Sequence, residues 1–577
     1  MQVFLPKDPV HPTILSRLGD IYTPCNSNRT MESQPEIDPE NPYAPVHTGL
    51  LELFVEVNEQ QRPYGVYIPI NAQSPVKGLY IFIPAGMSIQ YAMVQYNIAD
   101  IAQKYGIIVI LLSAGKQWER GDMKEDVSYA RMVYADTHRH AYFALGVAHG
   151  TEYVMGLEDG AMPAAVFALI FDRTIAAFAA MGDCVLDREL LEAFSEIDHG
   201  NKDLYGGKVP LSAWIIDRQM DRHPLIDYCL GLAYIPSRPL LDGNTRVWLA
   251  QPKGKLNHPE MEIRYTPMGE SMPTVDEVIE FLVGFRRTMK ESGYLQRIHS
   301  AEELGLCRWE CVFEGRKRHW HIYCPAKCKK GTGYKYPLVL ALHGYTGTGD
   351  SFAEESDWNA VADRCGFIVA YPTAYPYART DEGLCKCPVP AWNCGIYPRA
   401  DNLNDVAFIK EMLRIIKDNY PVDEKRFFVT GHSNGSRMTQ KLMREFPVFA
   451  AYAPSGATET GTDGKPFCIP TPGVRPVWCF MGEYDYGDAA RMDEDSETYK
   501  TIQYFCEVNG GDFRNGSWYD SLPYHNFVAY DRNHVPVVRF TEIKGQPHTY
   551  TPEMSWMIWN EFFSHFHREN GISVYSG

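Results

Sequence analysis

RFFVTGHSNGSRMTQKLM, residues 426–443, decides the fold of the second half of this chain. It holds the pattern Gly-x-Ser-x-Gly from Gly431 to Gly435, with the apolar run FFVT before it and a helical pattern after it. A serine placed between a strand and a helix in this way lies on a tight turn, where its hydroxyl projects from the backbone. The context predicts an α/β fold with Ser433 as a nucleophile, although the bare pattern also occurs in structural turns.

A serine hydroxyl needs a base to remove its proton, and a carboxylate must orient that base. His548 is the preferred base, because it lies in a Gly/Pro loop between the strand-like run VVRFTEI and a final helical segment. His525 and His534 are interpreted as surface residues, and His565 and His567 fall on the last helix. The usual order in this fold, serine, acid, histidine, then requires an acid that precedes His548.

The segment VWCFMGEYDYGD (477–488) offers that acid, because it is a buried strand that runs into an acidic loop. Asp485 is the preferred candidate, with Asp488 and Glu483 as competitors. An acidic loop that is merely solvated remains the alternative interpretation.

An acyl-transfer site also needs hydrogen-bond donors for the oxyanion that develops on the substrate. LHGYTGTG (342–349) provides a turn with small side chains at the end of a strand, so its backbone N–H groups can point inward. We expect the donors to be the amides of Tyr345 and Asn434, with Thr346 as a further candidate. His343 is interpreted as structural.

The first half of the chain repeats the pattern of the second half in the same order. The matched pairs are IADIAQKYGIIVIL with WNAVADRCGFIVAY, GLYIFIPAG with PLVLALHGY, EDVSYARMV with NDVAFIKEM, AYFALGVAHG with RFFVTGHSNG, and EFLVGF with EFFSHF. Strand and helix patterns alternate in both halves, which indicates parallel sheets. The prediction is an α/β protein with two tandem α/β-hydrolase-like domains, each a mostly parallel sheet flanked by helices. The expected parts are an N-terminal arm (1–45), a first domain (46–290), a linker (291–305) and a second domain (306–577).

The first domain is predicted to have lost the chemistry of the second. In the pair AYFALGVAHG and RFFVTGHSNG, Ala148 stands opposite Ser433 and cannot attack a carbonyl. Pro84 stands opposite His343, and the segment that parallels the His548 loop contains no histidine. His149 is interpreted as a packed or surface residue, so this domain is expected to have a structural, oligomerising or site-shaping role.

The motifs LHGYTG, NDVAFI, VTGHSNGSRMT, GEYD and GQPHTY together resemble the polyhydroxybutyrate depolymerase/feruloyl esterase group of α/β-hydrolases. The resemblance covers most of the second half. It implies hydrolysis of a carboxylic ester through an acyl-enzyme, with Ser433, Asp485 and His548 in the catalytic positions. It also implies that Trp392, with Tyr345, borders the substrate; packing of this indole under the long loop 374–400 remains equally open.

Composition excludes several other classes. The net charge of -17 disfavours a nucleic-acid partner, which would select a cationic surface. No apolar run has the ~20 residues needed to cross a bilayer. The 14 cysteines lack paired Cys-x-x-Cys spacing, so neither a metal nor another cofactor is expected, and reduced thiols with a cytoplasmic location are preferred. The expected partner is a small-molecule ester, with a possible homo-oligomer through the N-terminal domain.

The leading hypothesis is a serine carboxylic ester hydrolase acting on small soluble esters, with hydroxycinnamoyl and hydroxyalkanoate esters as first candidates by resemblance. The same three residues could serve a peptidase or amidase, or an acyltransferase. A binding or scaffold protein with two inert domains is the alternative from a different class, and Ser433, Asp485 and His548 argue against it.

Overall fold

The structure is a computed structural model, and it describes residues 37–576 with interruptions. The interruptions are residues 46–47, 119–123, 138–146, 172–173, 187–190, 192–208, 219, 221–222, 234, 236–237, 251–259, 270, 288–294, 329–332, 378–379, 382–383, 386–387, 396–402, 460–472 and 486–489. Most of the expected N-terminal arm and the candidate acid Asp488 therefore lie outside the described residues.

The chain divides into two compact units, each with its own ten-stranded sheet. One unit is Met1–Ile298 with Ala378–Val389, and the other is His299–Tyr377 with Pro390–Gly577. The strands of the first unit are β1 (Gly49–Val57), β2 (Gln60–Ile68), β3 (Val76–Phe82), β4 (Ile107–Leu112), β5 (Val147–Leu157), β6 (Ile175–Met181), β7 (Ser212–Asp217), β8 (Leu240–Asp242), β9 (Thr245–Leu249) and β10 (Glu262–Pro267), with a separate pair β11 (Phe285–Arg287) and β12 (Leu295–Arg297).

The remaining strands are β13 (Leu306–Phe313), β14 (Arg316–Tyr323), β15 (Tyr336–Leu342), β16 (Ile368–Pro372), β17 (Pro376–Tyr377), β18 (Thr380–Asp381), β19 (Leu384–Cys385), β20 (Val389–Pro390), β21 (Val422–His432), β22 (Ala451–Ser455), β23 (Val477–Tyr484), β24 (Ser517–Ser521), β25 (Tyr524–Tyr530), β26 (Pro536–Pro547), β27 (Phe566–Glu569) and β28 (Ile572–Tyr575). The large sheet of the second unit uses ten of them and omits the short pairs β17–β20, β18–β19 and β27–β28.

The α-helices are α1 (Ile89–Gln95), α2 (Ile98–Tyr105), α3 (Lys124–Ala135), α4 (Ala161–Ile170), α5 (Pro224–Ala233), α6 (Val275–Leu282), α7 (Gly349–Ser356), α8 (Trp358–Cys365), α9 (Asp405–Asn419), α10 (Asn434–Glu445), α11 (Glu497–Asn509) and α12 (Pro552–Glu561). Within the described part of the chain, no helix combines the length and the apolar character that crossing a membrane requires.

The two large sheets have the same strand order. The first runs β1-β2-β4-β3-β5-β6-β7-β10-β9-β8, and the second runs β13-β14-β16-β15-β21-β22-β23-β26-β25-β24. In both sheets the six central strands are parallel, whereas the two strands at each edge pair antiparallel. Helices connect most of the parallel strands, as is usual for crossover connections. The predicted fold class, two mostly parallel sheets flanked by helices, is confirmed.

Equivalent side chains inside the two sheets support the repeat. Trp214 on β7 donates its indole N–H to Thr266 Oγ1 on β10 at 2.9 Å. Trp478 on β23 donates its indole N–H to Thr541 Oγ1 on β26 at 2.8 Å. The same buried hydrogen bond therefore joins the same pair of neighbouring strands in each unit. The domain boundaries given above stay predictions, although part of the expected linker forms β12.

Candidate active site

Ser433 lies at the bend between β21 and α10, where the sequence predicts it. Its φ of 54° and ψ of -112° are unusual for a residue with a side chain. Such backbone conformations cost on the order of 1–3 kcal/mol and persist only where the surroundings impose them. The bend is held partly by the Ser433 N–H, which donates to the carbonyl of Ser455 on β22 at 2.8 Å.

The two glycines of the motif allow β21 and α10 to approach each other. A Cβ on Gly431 would lie 2.4 Å from the carbonyl oxygen of Gly435, and one on Gly435 would lie 2.2 Å from the carbonyl oxygen of Leu342. Both contacts are with backbone atoms, which cannot rotate away. The glycines are therefore required by close packing of the bend against β15, as the Gly-x-Ser-x-Gly context predicts.

His548 and Asp485 meet at one edge of the second sheet. His548 follows β26, Asp485 follows β23, and Tyr484 pairs with Pro547 where these parallel strands end. The imidazole Nδ1 of His548 is hydrogen-bonded to Oδ1 of Asp485, whose side chain is almost fully buried. With Nδ1 donating to the carboxylate, Nε2 becomes the basic nitrogen of the ring.

The bend and the His548 loop contact each other through His432, the residue before Ser433. The ring centroids of His432 and His548 are 4.7 Å apart. Gly456, at a φ of 74°, follows β22 beside both rings, and a Cβ there would lie 2.6 Å from Cε1 of His432 and 3.2 Å from Cε1 of His548. The structure thus brings the predicted nucleophile, base and acid to the same edge of one sheet. His432 and Gly456 are contributors that the sequence reasoning missed.

His432 is a neutral imidazole. Burial, followed by the nearby charge of His548, lowers its pKa well below the usual range. Its Nδ1 lies 3.2 Å from Oγ of Ser455, and its buried Nε2 has no hydrogen-bond partner among the described residues. A protonated ring at this position would repel the positive charge that His548 acquires as a base, so the neutral state suits the site.

The competing candidates occupy other environments. Glu483 accepts the N–H of Gly545 at 2.7 Å and pairs with Lys544, and its side chain is not hydrogen-bonded to His548. His525 is paired with Asp520 on the β24–β25 hairpin. Of the other histidines, His534 lies in a turn, His565 contacts the carbonyl of Asn560, and His567 pairs with Glu569. Asp488 lies outside the described residues.

The predicted oxyanion loop passes directly beside the nucleophile. A Cβ on Gly344 would lie 3.5 Å from the Cβ of Ser433. Tyr345 follows in a turn and is partly exposed. Asn434 is the first residue of α10, where an N–H has no acceptor within its own helix. The positions of both backbone amides are compatible with the predicted role, which stays a prediction.

The Thr346 amide is not available for that role, contrary to the expectation that it could contribute. It donates to the carbonyl of Pro390 at 3.0 Å. This hydrogen bond joins the loop after β15 to the last residue of β20, so the Thr346 amide supports the loop instead of facing a substrate. Sequence offered no sign of this long-range backbone contact.

His343 holds the same loop, in agreement with its structural interpretation. Its Nε2 accepts the N–H of Ala374 at 2.9 Å, and its Nδ1 donates to the carbonyl of Gly344 at 2.6 Å. Burial lowers the pKa of His343 to about 4. The ring is therefore neutral at physiological pH, with its proton on Nδ1.

Trp392 is buried, with 2% of its surface exposed. Its indole N–H donates to the carbonyl of His343 at 3.0 Å, and its backbone N–H donates to Oδ1 of Asn434 at 2.6 Å. The Asn434 amide group also donates to the carbonyl of Trp392 at 3.3 Å. Of the two interpretations left open by sequence, this geometry is that of packing, and Trp392 braces both segments that carry the predicted oxyanion donors. A contact between Trp392 and the substrate stays a prediction.

A buried ion pair stabilises the segment next to Trp392. Arg318 on β14 donates to Oδ1 of Asp405 at 2.6 Å, and both side chains are fully buried. The other carboxylate oxygen of Asp405 accepts the N–H of Asn393 at 2.7 Å. Asp405 thereby links the first turn of α9 to the residue that follows Trp392.

The first unit has an equivalent bend, but it lies ten residues beyond the position expected from sequence. Phe82 on β3 pairs with Gly156 on β5, as Leu342 on β15 pairs with Gly431 on β21. The residue that matches Ser433 is therefore Glu158, with a φ of 52°. The expectation of Ala148 at this place is wrong, because Ala148 is the second residue of β5.

In the first unit, an aspartate side chain occupies the position that corresponds to the predicted oxyanion site of the second unit. Asp159, which follows Glu158, accepts the N–H of Ala85 through Oδ1 at 3.0 Å. Asp159 and Ala85 correspond to Asn434 and Tyr345 in the second unit. A negative charge at this amide opposes the binding of an oxyanion, which agrees with the expected loss of chemistry.

The second half of the chain, residues 313–569, matches the family described as "Putative esterase". Acetylxylan esterase A of Aspergillus oryzae is 29% identical over 170 residues, which are 29% of this chain and 46% of that protein. Poly(3-hydroxyalkanoate) depolymerase C of Paucimonas lemoignei is 29% identical over 225 residues, which are 38% of this chain and 47% of that protein. The chain thus spans about half the length of these curated relatives.

Parts of solved structures are also similar to this chain. An acetyl xylan esterase from Aspergillus awamori is 18% identical with a TM-score of 0.35, covering 45% of this chain and 99% of that chain. A feruloyl esterase module from Clostridium thermocellum is 11% identical with a TM-score of 0.31, covering 44% of this chain and 84% of that chain.

Proposed function

We propose that this protein is a serine carboxylic ester hydrolase, because its second half matches the putative esterase family. The hydrogen bond between His548 and Asp485, at the edge of the sheet where Ser433 lies on a strained bend, is the observation that carries the proposal. An imidazole that is oriented by a carboxylate and lies near a serine on a tight turn is the arrangement that activates a hydroxyl.

The proposed reaction has two stages. Ser433 Oγ attacks the ester carbonyl while its proton passes to His548 Nε2, and the tetrahedral oxyanion accepts hydrogen bonds from the Tyr345 and Asn434 amides. Collapse of this intermediate expels the alcohol, which takes the proton from His548. Water, deprotonated by the same imidazole, then attacks the acyl-enzyme, releasing the acid and restoring Ser433. Asp485 holds the imidazole orientation throughout.

Small soluble esters are the proposed substrates. The relatives named acetylxylan esterase and poly(3-hydroxyalkanoate) depolymerase suggest short acyl groups and hydroxyalkanoate esters, and the sequence motifs add hydroxycinnamoyl esters. The shared chemistry of these candidates is an acyl carbon bonded to an alkoxy leaving group. An amide has a poorer leaving group that must be protonated, so we expect esters to be preferred.

The test is hydrolysis of p-nitrophenyl acetate and p-nitrophenyl butyrate by the full chain. Ser433→Ala should lower kcat/KM on the order of 10⁴-fold or more, since it removes the nucleophile. Ser517→Ala, on the exposed strand β24, is the matched control and should retain activity. Equal rates for the wild-type protein and Ser433→Ala would overturn the proposal, as would faster turnover of matched peptide amides than of esters.

We further propose a cytoplasmic location. The buried Cys184, Cys229, Cys479 and Cys506, among other described cysteines, have free thiols, which suits a reducing compartment. Alkylation of freshly lysed cells under denaturing conditions should label all 14 cysteines. A substantial fraction protected from alkylation until a reductant is added would contradict this location.

A further inference from the structure

Three side chains with metal-binding atoms meet in the first unit. Cys184 follows β6, Asp217 is the last residue of β7, and His223 immediately precedes α5. All three are buried, at 0%, 0% and 4% exposure respectively. They therefore come from three separate segments that converge at the carboxyl edge of the sheet.

The three donor atoms face one another. Sγ of Cys184 lies 3.7 Å from Oδ2 of Asp217 and 4.0 Å from Nε2 of His223. The same Nε2 lies 3.1 Å from the same Oδ2. One donor atom from each residue therefore lies at a corner of a small triangle, close to the other two.

This triangle has nearly the dimensions of one face of a zinc tetrahedron. With Zn–S of about 2.3 Å and Zn–N or Zn–O of about 2.0–2.1 Å, neighbouring ligand atoms are roughly 3.3–3.6 Å apart. The two distances to the Cys184 sulfur exceed this range by a few tenths of an ångström, and the Asp217–His223 distance is slightly below it. Small side-chain adjustments would therefore bring all three atoms to coordination distance.

The same geometry excludes a second nucleophilic site at Cys184. In a relay the two nitrogens of an imidazole contact different partners, as Nδ1 of His548 contacts Asp485 in the second unit. In His223 a single nitrogen, Nε2, faces both the thiol and the carboxylate. Its buried Nδ1 has no hydrogen-bond partner among the described residues. Convergence on one point is typical of ligands around an ion.

We propose that Cys184, Asp217 and His223 bind a zinc ion that stabilises the first unit. A thiolate and a carboxylate would together balance the charge of Zn²⁺ in this buried location, and the imidazole adds a neutral ligand. Binding releases the thiol proton to solvent. The site is structural because its ligands are inaccessible to a substrate, and the fourth coordination position is not assigned to a residue. The proposal is independent of the esterase activity.

A cluster held only by hydrogen bonds is the competing state. Oδ2 of Asp217 already accepts the backbone N–H of Cys184 at 3.2 Å, and Oδ1 accepts that of Arg218 at 2.6 Å. These contacts orient the carboxylate in either case. Metal stoichiometry and thiolate spectroscopy separate the two states, because a hydrogen-bonded thiol produces neither signal.

The experiment uses the full chain, stripped of metal with a chelator and then supplied with zinc chloride or cobalt(II). After gel filtration we expect one zinc per chain, a higher unfolding temperature than the stripped protein, and a thiolate-to-cobalt charge-transfer band. Cys184→Ser should weaken zinc binding on the order of 100-fold or more and abolish that band, because it removes a direct ligand. Cys506→Ser replaces a buried cysteine of the second unit and should leave both signals unchanged.

Circular dichroism establishes whether each variant is folded. If Cys184→Ser fails to fold, His223→Gln removes a different ligand and should show the same loss of zinc. The proposal is overturned if the wild-type protein retains no zinc after gel filtration. It is equally overturned if folded Cys184→Ser or His223→Gln retains as much zinc as Cys506→Ser.

Discussion

At the scale of single residues, two adjacent histidines acquire different chemistry from their surroundings. The rings of His432 and His548 are in contact, with an angle of 42° between their planes, yet only His548 has a carboxylate, Asp485, on its Nδ1. His432 instead faces the hydroxyl of Ser455 and is kept neutral by burial. The partner of each ring, more than the residue type, decides which histidine can act as a base.

Asp485→Asn is expected to lower kcat on the order of 10⁴-fold, because an amide that donates to Nδ1 would select the wrong imidazole tautomer. Steady-state hydrolysis of p-nitrophenyl acetate measures the loss. Glu483→Gln is the matched control: it changes the neighbouring acid, whose carboxylate accepts the Gly545 N–H, and should keep kcat within a few-fold. A larger loss in Glu483→Gln than in Asp485→Asn would assign the acid differently.

At the scale of elements, the bend after β21 depends on the loops packed against it. The loop after β15 carries Tyr345 and the start of α10 carries Asn434, and Trp392 is hydrogen-bonded to both segments. The Arg318–Asp405 pair then holds the residue after Trp392. The position of the two predicted oxyanion donors therefore depends on Trp392, Arg318 and Asp405, which lie outside the Gly-x-Ser-x-Gly motif.

Trp392→Phe separates the packing interpretation from the substrate-contact interpretation. Loss of the indole N–H leaves the buried carbonyl of His343 without this donor, which should reduce the free energy of unfolding by ~1–3 kcal/mol. If Trp392 braces the site, kcat falls while KM stays nearly constant. A raised KM at unchanged stability would show instead that the ring contacts the substrate. Urea denaturation and steady-state kinetics provide the two measurements.

Arg318→Met should reduce the free energy of unfolding by ~3–5 kcal/mol, because it leaves the buried Asp405 carboxylate without its charged partner. Arg414→Met is the control, since Arg414 forms exposed pairs with Glu411 and Asp418 on α9. Exposed pairs of this kind contribute about 0.3–0.5 kcal/mol. Chemical denaturation that gave the two variants similar losses would argue against a stabilising role for the buried pair.

At the scale of the whole molecule, two units with one strand order carry different chemistry at equivalent positions. Glu158 occupies the bend that Ser433 occupies in the second unit, and Asp159 fills the matched oxyanion position. The first unit has instead a buried Cys184–Asp217–His223 cluster with no counterpart among the described residues of the second. The shared sheet fixes where these residues lie, while their identities decide what each unit can bind.

The stability of the second unit should fall as the pH is lowered through the mildly acidic range. His343 has a folded-state pKa of about 4, against 6.5 for an unperturbed histidine. As the pH falls, the unfolded chain therefore takes up the proton before the folded chain does. The contribution of His343 to the free energy of unfolding is complete above about pH 6.5 and is lost as the pH falls towards 4. The loss is at most ~1.4 kcal/mol per pH unit for one histidine.

Urea denaturation of the wild-type protein and His343→Gln between about pH 7.5 and pH 5 measures this dependence. Glutamine can still accept the Ala374 N–H but does not titrate, so the variant should lose less stability per pH unit. Parallel pH dependences for the two proteins would mean that His343 makes no contribution. His432, which is also neutral when buried, should account for part of the slope that remains.

Sequence by itself determined the fold class, the repeat and the three residues proposed for catalysis. Apolar runs that end at a glycine predict buried strands from the local sequence alone. The bend around Ser433 is also predicted by its neighbouring residues, because short-range steric effects determine the backbone there. His548 and Asp485 could be predicted because each follows a strand, and the ends of parallel strands meet at one edge of a sheet. These are consequences of chain order and short-range sterics.

Only the tertiary structure decided the features that depend on contacts between distant segments. It moved the equivalent of Ser433 from Ala148 to Glu158, because strand register depends on long-range pairing that weak sequence similarity does not fix. It also placed the Thr346 amide in a hydrogen bond with the carbonyl of Pro390 and placed Trp392 in a buried position. It also assembled the cysteine, aspartate and histidine of the first unit from three segments, without the paired spacing that marks a metal site in sequence. Side-chain convergence of this kind is set by packing in three dimensions, which residue spacing along the chain does not encode.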